Sequence, residues 1–312
     1  MREVENIAII GAGALGSFYA SKLYEMHPEA VSLIAKGDRY RALEREGLVI
    51  NGKPYSFRLM DPNGNPSPPD LIIIAVKHHH LPQAIMDIKN LVGDETQILS
   101  VMNGIDSEEQ IAATYGMDRV IYGVALGIDA VRQGNRITYS KEGTLFFGEA
   151  KNTPPADRIM AVKGLFDRAG IVCEIPEDMI RVLWWKFMIN VGVNQMSAVL
   201  RAPYGVFQRV KEAAELMEAA MQEVMALSEA AGVDLRKEDI EDWYEIMSGL
   251  SPTGKTSMLQ DVEAGRKTEV EMFAGRVIKL GQKYDIPTHV NDLIFKIIKV
   301  FENSAAQIPE GS

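Results

Sequence analysis

The sequence predicts an α/β chain in two parts, a parallel-sheet domain followed by an all-helical one. Three observations predict it. A glycine-rich turn, Gly11 to Gly16, separates a short apolar run from a helix-like stretch at the start of the chain. Near-continuous apolar runs of strand length recur through the first half, as parallel strands covered on both faces require. Beyond about residue 176 such runs vanish, helical spacing takes over, and Met and Ala become frequent.

The elements follow in order. Residues 6–10 read as a buried strand, 14–27 (ALGSFYASKLYEMH) as a helix and 30–36 as a second strand, a complete strand–helix–strand unit. In LVINGKPYSFRL the Asn51-Gly52 pair between β-prone runs signals a hairpin. Strands are expected at 70–77, 96–102 and 119–128. NRITYS and TLFFGE are expected to form an antiparallel extension of the sheet. A helix over 157–169 and a strand over 171–176 close the first domain, 1–176. The second, 177–312, is helical from about Asp178 to Asn303, with a frayed tail SAAQIPEGS.

Composition narrows the function classes. At 312 residues, 46% of them hydrophobic, the chain can bury a core in about two domains. A net charge of −10 argues against a nucleic-acid partner, which requires a basic face. The single cysteine, Cys173, precludes an intramolecular disulfide, and in an apolar strand it reads as packing. MREVEN followed by IAII is too short and too acidic for a signal peptide. No apolar run approaches the roughly 18 residues of a membrane span. The expected compartment is the cytoplasm.

Two stretches carry phosphate-binding signatures. Gly11-Ala12-Gly13-Ala14-Leu15-Gly16 matches G-x-G-x-x-G in its proper setting, between a strand and a helix. Gly11 permits the tight turn, Gly13 lets backbone approach a pyrophosphate, and Gly16 lets the helix pack on the strand. This makes the first domain a Rossmann-type dinucleotide-binding domain. At the end of its second strand stand Ala35-Lys36, with Arg39 beyond, where an NAD site normally has an acidic residue. Despite Asp38 nearby, NADP(H) is the expected cofactor. The second signature, GLSPTGKT at 249–256, satisfies the G-x-x-x-x-G-K-[ST] loop but follows a helical stretch in the half that has no sheet. It reads as a helix–loop–helix joint, with Ser257 and Gln260 as a capping box for the next helix.

The helical half holds a polar constellation. RVLWWKFMINVGVNQMSAVL (181–200) reads as one apolar helix, with Lys186, Asn190 and Asn194 in steps of four. That spacing keeps them on one face, rotating about 40° per step. A solvated stripe would explain charges on an exposed helix. Among Trp, Phe, Ile and Val, a lysine with two amides needs another reason, because a buried unpaired ammonium is costly. An anionic substrate supplies one.

Taken in order, GAGALG, AVK, NG, LWWKFMINVGVN and TSMLQDVEAGRKTEV resemble the ketopantoate reductase family (2-dehydropantoate 2-reductases), from residue 5 to about 290. The resemblance implies an NADPH-dependent reduction of a 2-keto acid to its 2-hydroxy acid, a step of pantothenate biosynthesis. It implies Lys186 and Glu269 as catalytic residues, with Lys186 the proton donor. It also implies Asn190, Asn194, Lys255, Thr256 and Ser257 as substrate-binding residues. Lys36, Lys77 and Asn103 join the glycine turn at the cofactor, and the second phosphate-loop look-alike becomes part of the substrate pocket. A lysine suits the role, since it donates a proton to the oxygen on which hydride transfer leaves negative charge.

The chain departs from the family pattern at Gln195, where proline often follows the second asparagine. It departs again at Tyr204, which replaces an asparagine after Pro203, and at Lys255, which adds a cation. All three lie on the substrate side. They leave open the same fold acting on another 2-keto acid; a non-catalytic NADP(H) sensor is the reading from a different class. His78-His79-His80 is not expected to bind metal, because adjacent residues diverge and no carboxylate stands at ligand spacing. Trp184 and Trp185 are expected as core or wall. No metal, nucleic acid or membrane partner is expected, and a homodimer is left open as the assembly.

Overall fold

The computed structural model describes residues 3–64 and 66–307. The chain divides into two compact units, Met1–Val182 and Leu183–Ser312.

The first unit is built on a sheet of order β12-β11-β8-β7-β6-β1-β2-β5. Its parallel centre comprises β1 (Ile7–Ile10), β2 (Val31–Ile34), β6 (Leu71–Ile74) and β7 (Gln97–Ser100). Apart from Gln97 at the start of β7, all their residues are buried because helices cover both faces. β1 pairs with β2 on one side and β6 on the other, Ile7 facing both Val31 and Leu71, so strand order reverses beside β1. Open α/β sheets bind ligands at the carboxyl ends of strands at such a switch point. α1 (Ala14–Met26) follows β1, and α2 (Gly37–Glu46) follows β2. The short β5 (Arg58–Met60) extends the parallel edge. α3 (Leu81–Asp87) and α4 (Ser107–Tyr115) follow β6 and β7.

β8 (Val120–Ile128) and β11 (Glu142–Gly148) pair antiparallel, the extension expected of TLFFGE. NRITYS goes elsewhere. Its strand β10 (Arg136–Thr138) joins a second sheet of order β4-β3-β10-β9, with β3 (Leu48–Ile50), β4 (Lys53–Tyr55) and β9 (Val131–Gln133). Within it, Asn51 and Gly52 both take positive φ, 47° and 81°, forming the expected hairpin turn between β3 and β4. β10 runs parallel to β3, Ile137 opposite Ile50, and both side chains are buried. That non-local pairing draws the segment away from the main sheet. After α5 (Asp157–Arg168), the expected strand 171–176 shrinks to β12, Cys173–Glu174.

Among its described residues the second unit is built of helices and their connecting loops, with no strand. The expected boundary near 176 precedes the observed division by six residues. α6 (Met179–Ile189) spans that division, and its start is tied to the first unit by Met179 N–H donating to Ala150 O at 3.2 Å. The single helix expected over 181–200 is interrupted: α6 passes into a π turn at Asn190–Asn194, then α7 (Gln195–Leu200). α8 (Tyr204–Arg209), α9 (Lys211–Ala230), α10 (Lys237–Ser248), α11 (Ser257–Glu263), α12 (Ala274–Tyr284) and α13 (His289–Gln307) follow. No described helix is long and apolar enough to cross a membrane.

Candidate functional sites in the two units

The glycine turn of the first unit is geometrically exacting. Gly11 has φ +104°, and a Cβ there would lie 2.5 Å from the Ala75 carbonyl oxygen at the end of β6. A Cβ on Gly16 would run into the Gly11 carbonyl oxygen and stand 3.1 Å from Ala75 Cβ. Those two glycines are required by the protein itself. Gly13 is different: a Cβ there would meet no protein atom within 4 Å, so close approach of a ligand is the reason left for it. Gly13 caps α1 without a side-chain hydrogen bond, and the first turn holds no acidic residue. Its N–H groups and the helix dipole are suited to a phosphate. The site therefore fits a dinucleotide.

Lys77 and Asn103 stand, partly buried, just beyond the carboxyl ends of β6 and β7. Lys36, expected beside the ribose, instead points its ammonium at Asp87 in α3, 2.5 Å away. Asp38, in the first turn of α2, is exposed and paired with Arg41. Arg39 donates to the Ala12 carbonyl at 2.9 Å. Two further residues of this unit carried no motif. Arg132, on β9, also donates to the Ala12 carbonyl. Glu108 is fully buried in α4, and burial raises its carboxyl to about 7. The Ser107 hydroxyl donates to it at 2.8 Å and lies 2.8 Å from that of Ser100, tying β7 to α4 beside Asn103. The rings of His79 and His80 touch at a tilt of 54°, and among the described residues no group of three or more His, Cys, Asp or Glu is placed to hold a metal ion.

In the second unit Lys186 lies on α6, one residue before Phe187, whose ring contacts Trp184 and Phe273. Trp184 is core and Trp185 only partly buried. Burial lowers the Lys186 ammonium from 10.5 to about 8, with no ion pair to oppose the shift among the described residues. Asn190 and Asn194 are buried, and the Asn194 amide donates to Asn190 Oδ1 at 3.3 Å. The π turn between them replaces the regular four-residue rotation, so that hydrogen bond, rather than helical spacing, holds the two amides together. Gly192 makes the wide turn packable: a Cβ there would stand 2.5 Å from the Met221 methyl on α9. Gln195, fully buried, fastens it, donating to Val191 O at 2.8 Å and to Asn291 Oδ1 at 3.0 Å while accepting from Ala274 N–H at 2.9 Å.

α11 packs on α7 and the π turn, bringing Ser257 to this side of the bundle. The cap of α11 differs from expectation: Thr256 is the N-cap, its buried hydroxyl accepting from Leu259 N–H at 3.2 Å, while Ser257 is the first helical residue and exposed. Gln260 donates to Lys255 O rather than completing a capping box. Thr256→Val should cost about 1 kcal/mol in urea unfolding. Ser257→Ala should leave the midpoint unchanged; equal losses would return the cap to Ser257. Glu269, partly buried, starts a turn whose following residues are fixed by Phe273 against Phe187 and by Ala274 on Gln195.

The loop 249–256 joins α10 to α11, with no strand before it. Its Pro252 and Gly254 carbonyls accept from Gly205 and Tyr204 N–H, and Lys255 pairs with Glu263 at 2.7 Å. A phosphate loop presents N–H groups, whereas this one offers its carbonyls to α8. ATP and GTP should neither be hydrolysed nor shift the melting temperature; ATP stabilisation abolished by Lys255→Ala would contradict this.

Residues 7–152 match the family described as ketopantoate reductase PanE/ApbA, and residues 178–302 match its C-terminal part. The chain is 27% identical to a 2-dehydropantoate 2-reductase of Aquifex aeolicus over 305 residues, 96% of this chain and 97% of the relative. The crystal structure of a 2-dehydropantoate 2-reductase from Methylococcus capsulatus superposes with a TM-score of 0.82 at 27% identity, covering 98% of this chain and all of that one. D-mandelate dehydrogenase in ternary complex with NADH and anilino(oxo)acetate shares the fold at a TM-score of 0.89 and 21% identity, over 96% and 99% of the two chains.

Proposed function

The chain belongs to the ketopantoate reductase family, and from that membership we propose that it is the oxidoreductase that reduces 2-dehydropantoate to pantoate with NADPH, Lys186 donating the proton. The observation that carries the reading is Lys186: a part-buried side chain whose ammonium, with no ion pair among the described residues, is lowered by desolvation to about 8, on the helix that leads into the Asn190–Asn194 amide pair. Gly11–Gly16 would hold the NADPH, whose chemistry when bound would be to supply the hydride that the keto carbon accepts. Lys186 supplies the proton to the oxygen, which becomes the hydroxyl of the product. A proton donor near 8 is mostly charged at neutral pH yet gives up its proton far more readily than a free lysine.

Asn190 and Asn194 orient the substrate through their amides. Ser257 and Thr256, at the amino end of α11, serve its carboxylate, and Glu269 serves its hydroxyl and helps orient Lys186. Lys255 stands beside them, neutralised by Glu263. Lys77 and Asn103 would contact the cofactor from the strand ends.

One observation favours a second reading, a different 2-keto acid: Tyr204, with its ring 3.1 Å from where a Gly254 side chain would begin, occupies space at this loop. The test is NADPH oxidation across a panel of 2-keto acids. 2-Dehydropantoate should have the highest kcat/KM. A tenfold better competitor would establish the second reading, and inactivity toward every acid would establish a sensor.

A further inference from the structure

Two guanidinium groups converge on one carbonyl of the glycine turn. Arg39, in the first turn of α2, donates to Ala12 O at 2.9 Å, and Arg132 donates to the same oxygen from β9. Arg132 is further held by its Nε donating to Gly134 O at 2.7 Å. Neither has a carboxylate partner among the described residues, although the first unit holds many acidic side chains. Like charges sharing one acceptor repel, and Arg132 is pushed down to about 10 by burial and by Arg39. An arrangement that costs energy when empty is relieved by an anion.

The location says which anion. The N–H groups at the start of α1 serve a pyrophosphate. Arg39 and Arg132 lie instead between the glycine turn and the end of β2, where the adenosine ribose is read. The other charges there are already committed: Lys36 to Asp87, and Asp38 to Arg41. We propose that Arg39 and Arg132 together form the site for the adenosine 2′-phosphate of NADP(H), and that the β9–β10 hairpin exists in this unit to deliver Arg132.

Two guanidinium forks match the oxygens of a phosphate monoester and leave their bonds to Ala12 O as the support that aims them. With NAD(H) the pair keeps its mutual repulsion. Discrimination therefore lies in a strand of the small sheet, 120 residues from the glycine turn in sequence, and not in Lys36. The proposal rests on the reading that this unit binds NADP(H), so its test is made by binding rather than turnover.

Full-length protein would be titrated with 2′,5′-ADP, 5′-ADP, NADPH and NADH. The same titrations would be run on Arg132→Gln, Arg132→Lys, Arg39→Gln and Lys36→Ala, with melting curves to confirm folding. The parent should bind 2′,5′-ADP more tightly than 5′-ADP. Arg132→Gln and Arg39→Gln should each weaken NADPH and 2′,5′-ADP by about ten- to a hundredfold while changing NADH by less than about threefold. Arg132→Lys, which keeps the charge without the fork, should fall between. Lys36→Ala should change NADPH by less than about threefold. Equal affinity of the parent for the two adenosine diphosphates overturns the proposal, and so does an equal loss of NADPH and NADH binding in folded Arg132→Gln. If every keto acid is inert but these affinities hold, the reaction proposed above fails and this site stands.

Discussion

Lys186→Ala is expected to lower the rate of hydride transfer by about two to four orders of magnitude, the usual contribution of a positioned proton donor. Dinucleotide binding should be unchanged, because Gly11–Gly16 belong to the other unit. Lys186→Arg should also react slowly, since a guanidinium keeps the charge but hardly releases a proton. The pH dependence follows from the lowered value of about 8. Reduction needs the charged lysine, so its rate should fall as pH rises through about 8; oxidation of the hydroxy acid needs the neutral one and should rise. Stability moves in a definite direction too. Burial disfavours the ammonium, so its penalty is present below about 8 and is relieved as pH climbs from there towards 10.5, where the unfolded lysine also loses its proton. Lys186→Met should therefore raise the melting temperature at pH 7 by at least about 2 °C while abolishing turnover. Single-turnover hydride transfer in folded, cofactor-saturated protein decides the catalytic role: a near-normal rate in Lys186→Ala rules it out. A lower melting temperature for Lys186→Met would mean that the lysine supports the fold.

The parts legible in the sequence were those whose signal is local. Gly11 and Gly16 announce a turn and a close helix–strand contact that any neighbouring element would demand, and Asn51-Gly52 announces a hairpin by backbone conformation alone. What the hairpin pairs with was not local. β3 meets β10 across more than eighty residues, and nothing in NRITYS distinguishes that partner from β11. α2 escaped notice because Leu43 is its one buried residue, so no apolar stripe marks it. In the candidate site, the spacing of Lys186, Asn190 and Asn194 was readable, but the π turn was not. It arises from Met221 packing against Gly192 and from the bonds of Gln195, none of which a periodicity reports. Thr256 and Ser257 are both good caps by type, and burial of the Thr256 hydroxyl decided between them. Arg132 lay in no motif at all.

Gln195→Leu should be among the most damaging single changes in the second unit. The glutamine stands where the family pattern often has proline, and it joins three elements. Its amide nitrogen takes the Val191 carbonyl inside the π turn and Asn291 Oδ1 from α13; its oxygen takes the N–H of Ala274, the first residue of α12 and therefore a donor without a partner inside its own helix. Asn291 cannot turn its amide to compensate, because its nitrogen is engaged by Glu223 at 2.7 Å and Ala220 O at 3.3 Å. Leucine preserves the volume but strands three polar groups. At about 1–3 kcal/mol for each buried group left unpaired, the loss is on the order of 3 kcal/mol or more. Gln195→Glu should do no better: it keeps the acceptor for Ala274 but sets a carboxylate against the Val191 and Asn291 oxygens. Because the same side chain fastens the turn carrying Asn190 and Asn194, the folded fraction of Gln195→Leu should show a raised KM for the keto acid with dinucleotide affinity intact. Urea unfolding and steady-state kinetics on one preparation make the test. An unfolding midpoint and a KM both at parental values would mean that the π turn holds itself, through Gly192 and Met221 alone.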